Sequence, residues 1–281
     1  MHFPQVFLSD ICPFLLLNGS RLFLQADMRS IRKVIKTENQ AYSFIGNIRI
    51  LRLNSMARER ESFPNIPEQI GGIGDLAYNL WWSWHPSARM LYKMLSRPEW
   101  KESVHNPVKM LRELPVDVYE SAVNDLKYLS HYSAIMSRFH SDMEEEGGWF
   151  LTQIHGSCCL PIAYFSAEYG LHRSLPFYAG GLGFLAGDYL KECSDLCIPL
   201  VAVGFMYPEG YILQRMPEDG WQQNVDDVLD RDRAPITRVL DENGEHLVIK
   251  VPFIRPSIRV AVWKVMVGRI PLFLMDTDIG E

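Results

Sequence analysis

Four consecutive residues, Gly180-Gly181-Leu182-Gly183, are the part of this 281-residue chain best suited to chemistry on an anion. Glycines at the start of a helix leave backbone N–H groups unobstructed, and such groups at the positive end of a helix attract phosphate. Gly181-x-Gly183-x-x-Ala186 also fits the glycine pattern of dinucleotide-binding turns. That pattern follows its strand directly, whereas here the eleven residues Ala167–Phe177 intervene, which argues against a nicotinamide cofactor. No GxxxxGK[ST] stretch occurs, so a Walker-type nucleotide site is unsupported. On spacing alone the glycines serve equally well to let a helix and a strand pack closely. His172 and Asp188 lie near the loop in sequence, but a loop histidine and a helix carboxylate are more often surface or structural groups.

The elements around the loop read as one βαβ unit. Leu160–Ser166 and Leu200–Met206 are short apolar runs without polar alternation, which suits parallel strands covered on both faces. Between them Leu182, Leu185, Ala186, Tyr189, Leu190, Cys193 and Leu196 recur at helical spacing and predict the stripe that packs on the sheet. Downstream, Thr237–Leu240 and His246–Val251 flank the turn signal Asn243-Gly244, and Ile258–Val267 and Ile270–Met275 flank Gly268-Arg269. Upstream the chain is helical. Ile73, Leu76, Ala77, Leu80, Trp81 and Trp84 follow the helix period, which puts two tryptophans on a core face before Pro86. Trp82 falls off that stripe, four residues after Tyr78, and the pair serves either for stacking on a sugar ring or for plain packing. Leu91–Leu114 reads as helix and connection and Val118–Phe139 as one longer amphipathic helix. Glu144–Glu146 and Gly147-Gly148 then mark a solvated run and a break.

Composition narrows the classes. Hydrophobic residues make up 47% of the chain and charged residues 22%, an ordinary globular balance. A net charge of −6 without a basic cluster argues against nucleic acid as the partner. Five cysteines, Cys12, Cys158, Cys159, Cys193 and Cys197, without CxxC spacing suggest reduced thiols in a cytoplasmic protein and no metal. Asp226, Asp227, Asp230 and Asp232 lack the glycine and terminal glutamate of a calcium loop and read as a solvated segment. Val6–Leu24 is interrupted by Asp10, Pro13 and Asn18 and fits neither a spanning helix nor a signal peptide, so no membrane partner is expected.

The stretch FSAEYGLHRSLPFYAGGLGFLAGDYLKECSDL resembles the glycine-loop region of the α-glucan (glycogen and starch) phosphorylases. Gly204–Tyr211, Gln214-Arg215, Asp219–Gln222 and Ala261–Asp278 are similar to later family segments. Leu76–Pro86 resembles the helical N-terminal domain of the bacterial and archaeal branch. The match runs from about Ile66 to Glu281 and covers only the N-terminal portion of such a protein. It implies an α/β fold, a partial Rossmann-like domain of the two-domain GT-B glycosyltransferase type preceded by a helical subdomain. The expected divisions are residues 1–55 as an extension, 56–150 as the helical domain and 151–281 as the incomplete Rossmann-like domain. The implied reaction is phosphorolysis of a terminal α-1,4-glucosyl unit to glucose 1-phosphate, with pyridoxal phosphate as cofactor.

By that resemblance Gly180, Gly181, Leu182 and Gly183 approach the substrate phosphate, and Gly181 the cofactor phosphate. Glu168 orders the sugar side within the Ser166–Tyr169 segment, so Glu168 and Tyr169 join the binding set. The lysine that anchors the cofactor belongs to the C-terminal domain, which implies that this chain alone is inactive and that the missing domain is a partner, with a homo-oligomer allowed for the intact protein. Ala179 stands where members often carry Ser or Asn. A nucleotide-sugar glucan synthase is the alternative within the same architecture, but its loop usually has a lysine two residues before Gly-Gly, where Tyr178 stands here. A non-catalytic glucan-binding module is the third reading.

Met1–Ser55 carries seven basic and three acidic residues, a balance of +4 in a chain whose total is −6, and family likeness begins only after it. MARERESFPNIPEQ from Met56 reads as the true start, with the preceding segment a mis-assigned extension or a poorly ordered tail. A chain begun at Met56 should therefore keep the urea midpoint of the longer one. A loss of more than about 1 kcal/mol in the same titration would show that the segment packs on the fold.

Overall fold

The computed structural model describes residues 63–145, 148–153, 162–210, 213–225, 228–241, 243–251 and 257–279. The expectations for Met1–Ser55, Cys158, Cys159, Asp226 and Asp227 fall outside them. The described residues form a helical layer and a mixed parallel and antiparallel sheet, an α/β arrangement.

The helical layer contains α1 (Gly72–Tyr78), α2 (Trp81–Trp84), α3 (Pro86–Leu95), α4 (Arg97–Glu102), α5 (Pro107–Glu113), α6 (Val116–Asn124), α7 (Leu126–Glu144) and the short α8 (Trp149–Gln153). Proline at the first or second position opens α3, α4 and α5, where its missing N–H costs nothing. The single helix expected over Val118–Phe139 is two, because Asp125 is extended and caps α7 by accepting the Lys127 N–H at 2.8 Å.

The helix expected over Ile73–Trp84 is also broken, at Asn79. There the backbone is extended (φ −110°, ψ 114°) and Leu80 N–H donates to Met266 O at 2.8 Å. Asn79 Oδ1 accepts from Gly268 N at 2.8 Å and from Trp81 N at 3.0 Å, while Nδ2 donates to Gly268 O at 2.9 Å. The break turns Trp82 inward, edge-on to Tyr92 and Trp100, and leaves Trp84 half-buried with its indole N–H 3.2 Å from Asp195. Tyr78 and Trp82 are thus packing residues, and the exposed sugar-stacking pair is not formed.

The sheet runs β1-β2-β8-β7-β5, with β6 also on β7. β1 (Ile162–Phe165), β2 (Leu200–Phe205) and β8 (Ile270–Asp276) are parallel, and α9 (Gly181–Asp195) crosses over between the first two. β7 (Ile258–Val267) joins β8 through a hairpin whose Gly268 has φ +60°, as the spacing predicts. The Asn243-Gly244 turn, with Gly244 at φ +83°, links β5 (Thr237–Arg238) to β6 (Val248–Val251). β3 (Leu213–Arg215) and β4 (Gln223–Val225) form a separate ribbon. Alternate residues feed two cores, as the period of a strand requires. Leu200, Ala202, Leu272 and Leu274 face the helices, and Val201, Val203, Phe273 and Met275 pack with Val239, Ile249 and Val262 on the other face. β2 is covered on both faces as expected and β8 is too, but β1, expected to be covered likewise, exposes Ile162 and Ala163 at the sheet edge.

Asn79→Ala strips partners from two buried N–H groups and a buried C=O at once, and each orphaned group costs about 1–3 kcal/mol. The substitution should lower unfolding free energy by about 3 kcal/mol in urea titration, and Asn79→Asp should recover only the acceptor's share. A change below about 0.5 kcal/mol in Asn79→Ala would show that the amide does not join the layers.

Candidate functional site

The site is built on the segment from the end of β1 to the start of α9. Ser166 Oγ donates to Glu168 O at 2.9 Å and so bends the chain as it leaves the strand. Tyr169 then plunges into the core. It is fully buried, its hydroxyl lies 3.0 Å from Val203 O and 3.2 Å from Tyr164 O, and burial holds its pKa well above the ordinary tyrosine value. A Cβ on Gly204 would meet the Tyr169 ring at 2.6 Å, which explains a glycine inside β2. Tyr169 is therefore a pillar under the site, and its side chain is not among the groups that a ligand touches.

Glu168 behaves differently. Its Oε2 accepts from Ala179 N at 3.2 Å and Gly180 N at 3.3 Å, so the glycine loop already holds an oxyanion, and that oxyanion belongs to the protein. Gly180 and Gly181 have open space where a Cβ would project, and Leu182 is 51% exposed. None of Gly180, Gly181 or Gly183 has positive φ, so backbone strain does not dictate these glycines. Gly183 is fixed by close approach instead, with Glu168 Oε2 and Gly170 N each 3.3 Å from its would-be Cβ and Tyr178 closer still.

That approach extends along α9. Gly170 N–H donates to Gly183 O at 2.7 Å, and a Cβ on Gly187 would collide with the Gly170 carbonyl. The helix therefore turns its Gly183–Ala186–Gly187–Leu190 ridge inward. Of the expected stripe, Ala186, Leu190 and Cys193 are buried, whereas Leu182, Leu185 (68% exposed) and Tyr189 (43% exposed) face outward. Sequence reading missed Gly170 and Gly187; their signal was two glycines able to let backbones touch. It also missed Arg231, whose guanidinium grips Asp276 at 3.2 Å and Asp278 at 3.1 Å, at and just beyond the carboxyl end of β8, while Trp263 Nε1 donates to Asp276 at 3.0 Å.

The secondary candidates are structural. His172 is half-buried, its Nδ1 hydrogen-bonded to Ser174 Oγ at 2.9 Å and accepting from Ser174 N at 3.2 Å, and it meets the Trp82 ring edge-on at 4.8 Å. Burial first, then the charges of His105, Arg173, Lys191 and Arg89, push its pKa down to about 4, so it is neutral near pH 7. Asp188 is exposed and pairs with Lys191 at 3.5 Å. In the loop between β3 and β4, Asp219 Oδ1 accepts from Trp221 N at 3.1 Å, and the Trp221 side chain is 79% exposed.

Residues 66–175 match the family model described as a protein of unknown function, DUF3417. The chain is 40% identical over 210 residues to a glycogen phosphorylase of Aquifex aeolicus, a match that covers 75% of this chain and 29% of that protein. It is 38% identical over 216 residues to a maltodextrin phosphorylase of Thermococcus litoralis, covering 77% of this chain and 26% of the relative. A glycogen phosphorylase of Mycobacterium tuberculosis is 34% identical over 223 residues, with 77% and 26% covered. The match thus spans between a quarter and three tenths of these relatives' length.

The two kinds of loop glycine make opposite forecasts. Gly183→Ala should destabilise by roughly 1–3 kcal/mol through overpacking against Tyr178. Gly181→Ala, facing open space at a helix start, should leave stability within about 0.5 kcal/mol or raise it slightly. Urea titration of both proteins is the check, and equal stability would remove the close approach as a constraint on Gly183.

Proposed function

The chain belongs to the glycogen and maltodextrin phosphorylase family, of which it carries the N-terminal portion, and from that membership we propose that it forms the glycine-loop side of an α-1,4-glucan phosphorylase site. In the reaction an oxygen of inorganic phosphate bonds to C1 of the terminal glucosyl unit, the C1–O4 bond breaks, and O4 of the shortened glucan takes a proton. The observation that carries the reading is the seat of Glu168. The N–H groups of Ala179 and Gly180 already converge on a carboxylate oxygen, and a phosphate oxygen accepts from the same donors. Open space beside Gly180 and Gly181 leaves room for it. Two anions repel at such range, so Glu168 has to withdraw toward the sugar when phosphate enters.

The oxyanion seat also fits the phosphate group of pyridoxal phosphate, which in this family supplies an acid–base phosphate beside the substrate phosphate. For the aldehyde the resemblance implies a lysine in the second domain, so the part proposed for this chain is to hold an oxyanion and exclude bulk from the loop. The GT-B architecture is proposed on the same footing: β1 exposes its outer edge, where a further parallel strand would complete a Rossmann-like sheet. Among the described residues no helix is long and apolar enough to cross a membrane, and Cys193 and Cys197 are free thiols. The free thiols and the family's metabolic role support a cytoplasmic setting.

The test is glucose 1-phosphate release from maltodextrin and phosphate. The chain alone should give none, and its fusion to the unmatched remainder of the Aquifex relative should be active. In that fusion Gly181→Val should lower kcat/KM by about 100-fold, as expected when an oxyanion seat is blocked, with no change in melting temperature. Equal turnover by the folded variant would refute the reading.

A further inference from the structure

Between α4 and α5 the backbone turns through Val104 and His105, both left-handed at φ +56° and +64°. For a β-branched residue that conformation is an outlier, of the kind held at functional sites by the surrounding structure. The turn is one wall of a groove of about 590 Å³ whose other walls are the segments 173–179 and 228–234. That volume suits a small organic ligand.

The groove is unevenly charged. Val104, Pro176, Tyr178 and Leu229 give it apolar surface, and Lys109, Arg173, Asp230 and Arg233 are its charged groups. Arg233 is committed to Glu113 at 2.7 Å and Asp230 at 3.4 Å, which uses both acids. Lys109 and Arg173 make no ion pair and no side-chain hydrogen bond among the described residues. Arg89 and Lys93 of α3 add to the positive field, and with Arg173 they reinforce the effect of burial in holding His105 below its ordinary pKa. The groove thus has two spare cations beside an aromatic wall. That pairing suits a ligand with an anionic end and a ring, since a pyranose or furanose offers an apolar face to a tyrosine and a phosphate monoester accepts from both cations.

We propose that this groove binds a small phosphorylated sugar, its phosphate held by Lys109 and Arg173 and its ring against Tyr178. The inference rests on the groove's own residues and stands whether or not the glycine loop seats phosphate. Calorimetric titration of the full chain with ribose 5-phosphate is the test, with ribose as the uncharged control. Saturable binding of the phosphate ester alone is expected, weakened at least tenfold in each of Lys109→Met and Arg173→Gln at unchanged melting temperature, and retained in Gly181→Val. Absence of saturable binding would overturn the proposal. So would binding that both cation variants keep in full, or binding lost in Gly181→Val and kept in those two, which would move the anion to the glycine loop.

Discussion

The functional end of the molecule depends on a contact between two stretches of backbone. Gly170 and the first turns of α9 approach so closely that no side chain fits between them, with the Gly170 N–H bonded to Gly183 O and the Gly170 carbonyl set against Gly187. This contact rotates the helix so that its small-residue ridge faces inward, and the larger Leu182, Leu185 and Tyr189 are turned out. It also sets the start of α9 beside Glu168, whose carboxylate takes up the Ala179 and Gly180 N–H groups. Burial of Tyr169 beneath the same segment ties it to β2 through Val203 O and leaves the loop little freedom to shift as a body. Packed backbone below and a carboxylate above suit the proposed role of the loop as a seat for an oxyanion.

Much of this was legible in the sequence. The β7–β8 hairpin was bounded correctly because two long apolar runs flank a glycine that needs φ +60°. The βαβ unit and its parallel pairing followed from unalternating runs around a helical stripe. Periodicity failed where it had to choose a face. Ala186, Leu190 and Cys193 lie on both the apolar stripe and the glycine ridge, and hydrophobicity favours the stripe while the close approach selects the ridge. It also failed at Asn79 and Asp125, where a single polar residue outweighs an uninterrupted helical pattern by bonding to backbone. Trp82, expected off the stripe, is turned into the core for the same reason, since the Asn79 break resets the helical phase.

The candidate site was legible in its parts and not in its assembly. Glycine loop and Glu168 are brought together, but Tyr169, adjacent in sequence, points away from the opening, because a segment leaving a strand end alternates its side chains. Arg231 was hidden in a run of acids that reads as solvated; only the fold shows that it neutralises Asp276 and Asp278 across 45 and 47 residues. The spare cations of the groove were equally hidden, since Lys109 and Arg173 are 64 positions apart and only the fold sets them in the walls of one groove.

The Asn79 amide meets its partner Gly268 across 189 residues. On a ribosome adding about 5–20 residues per second, Asn79 therefore emerges roughly 10–40 s before the turn that fastens it. During that interval the break at Asn79 and Leu80 has no sheet to bond to, because Met266 and Gly268 have not yet been made. The sequence distance that this amide spans thus sets how long the break in the helical layer waits for the turn that fastens it.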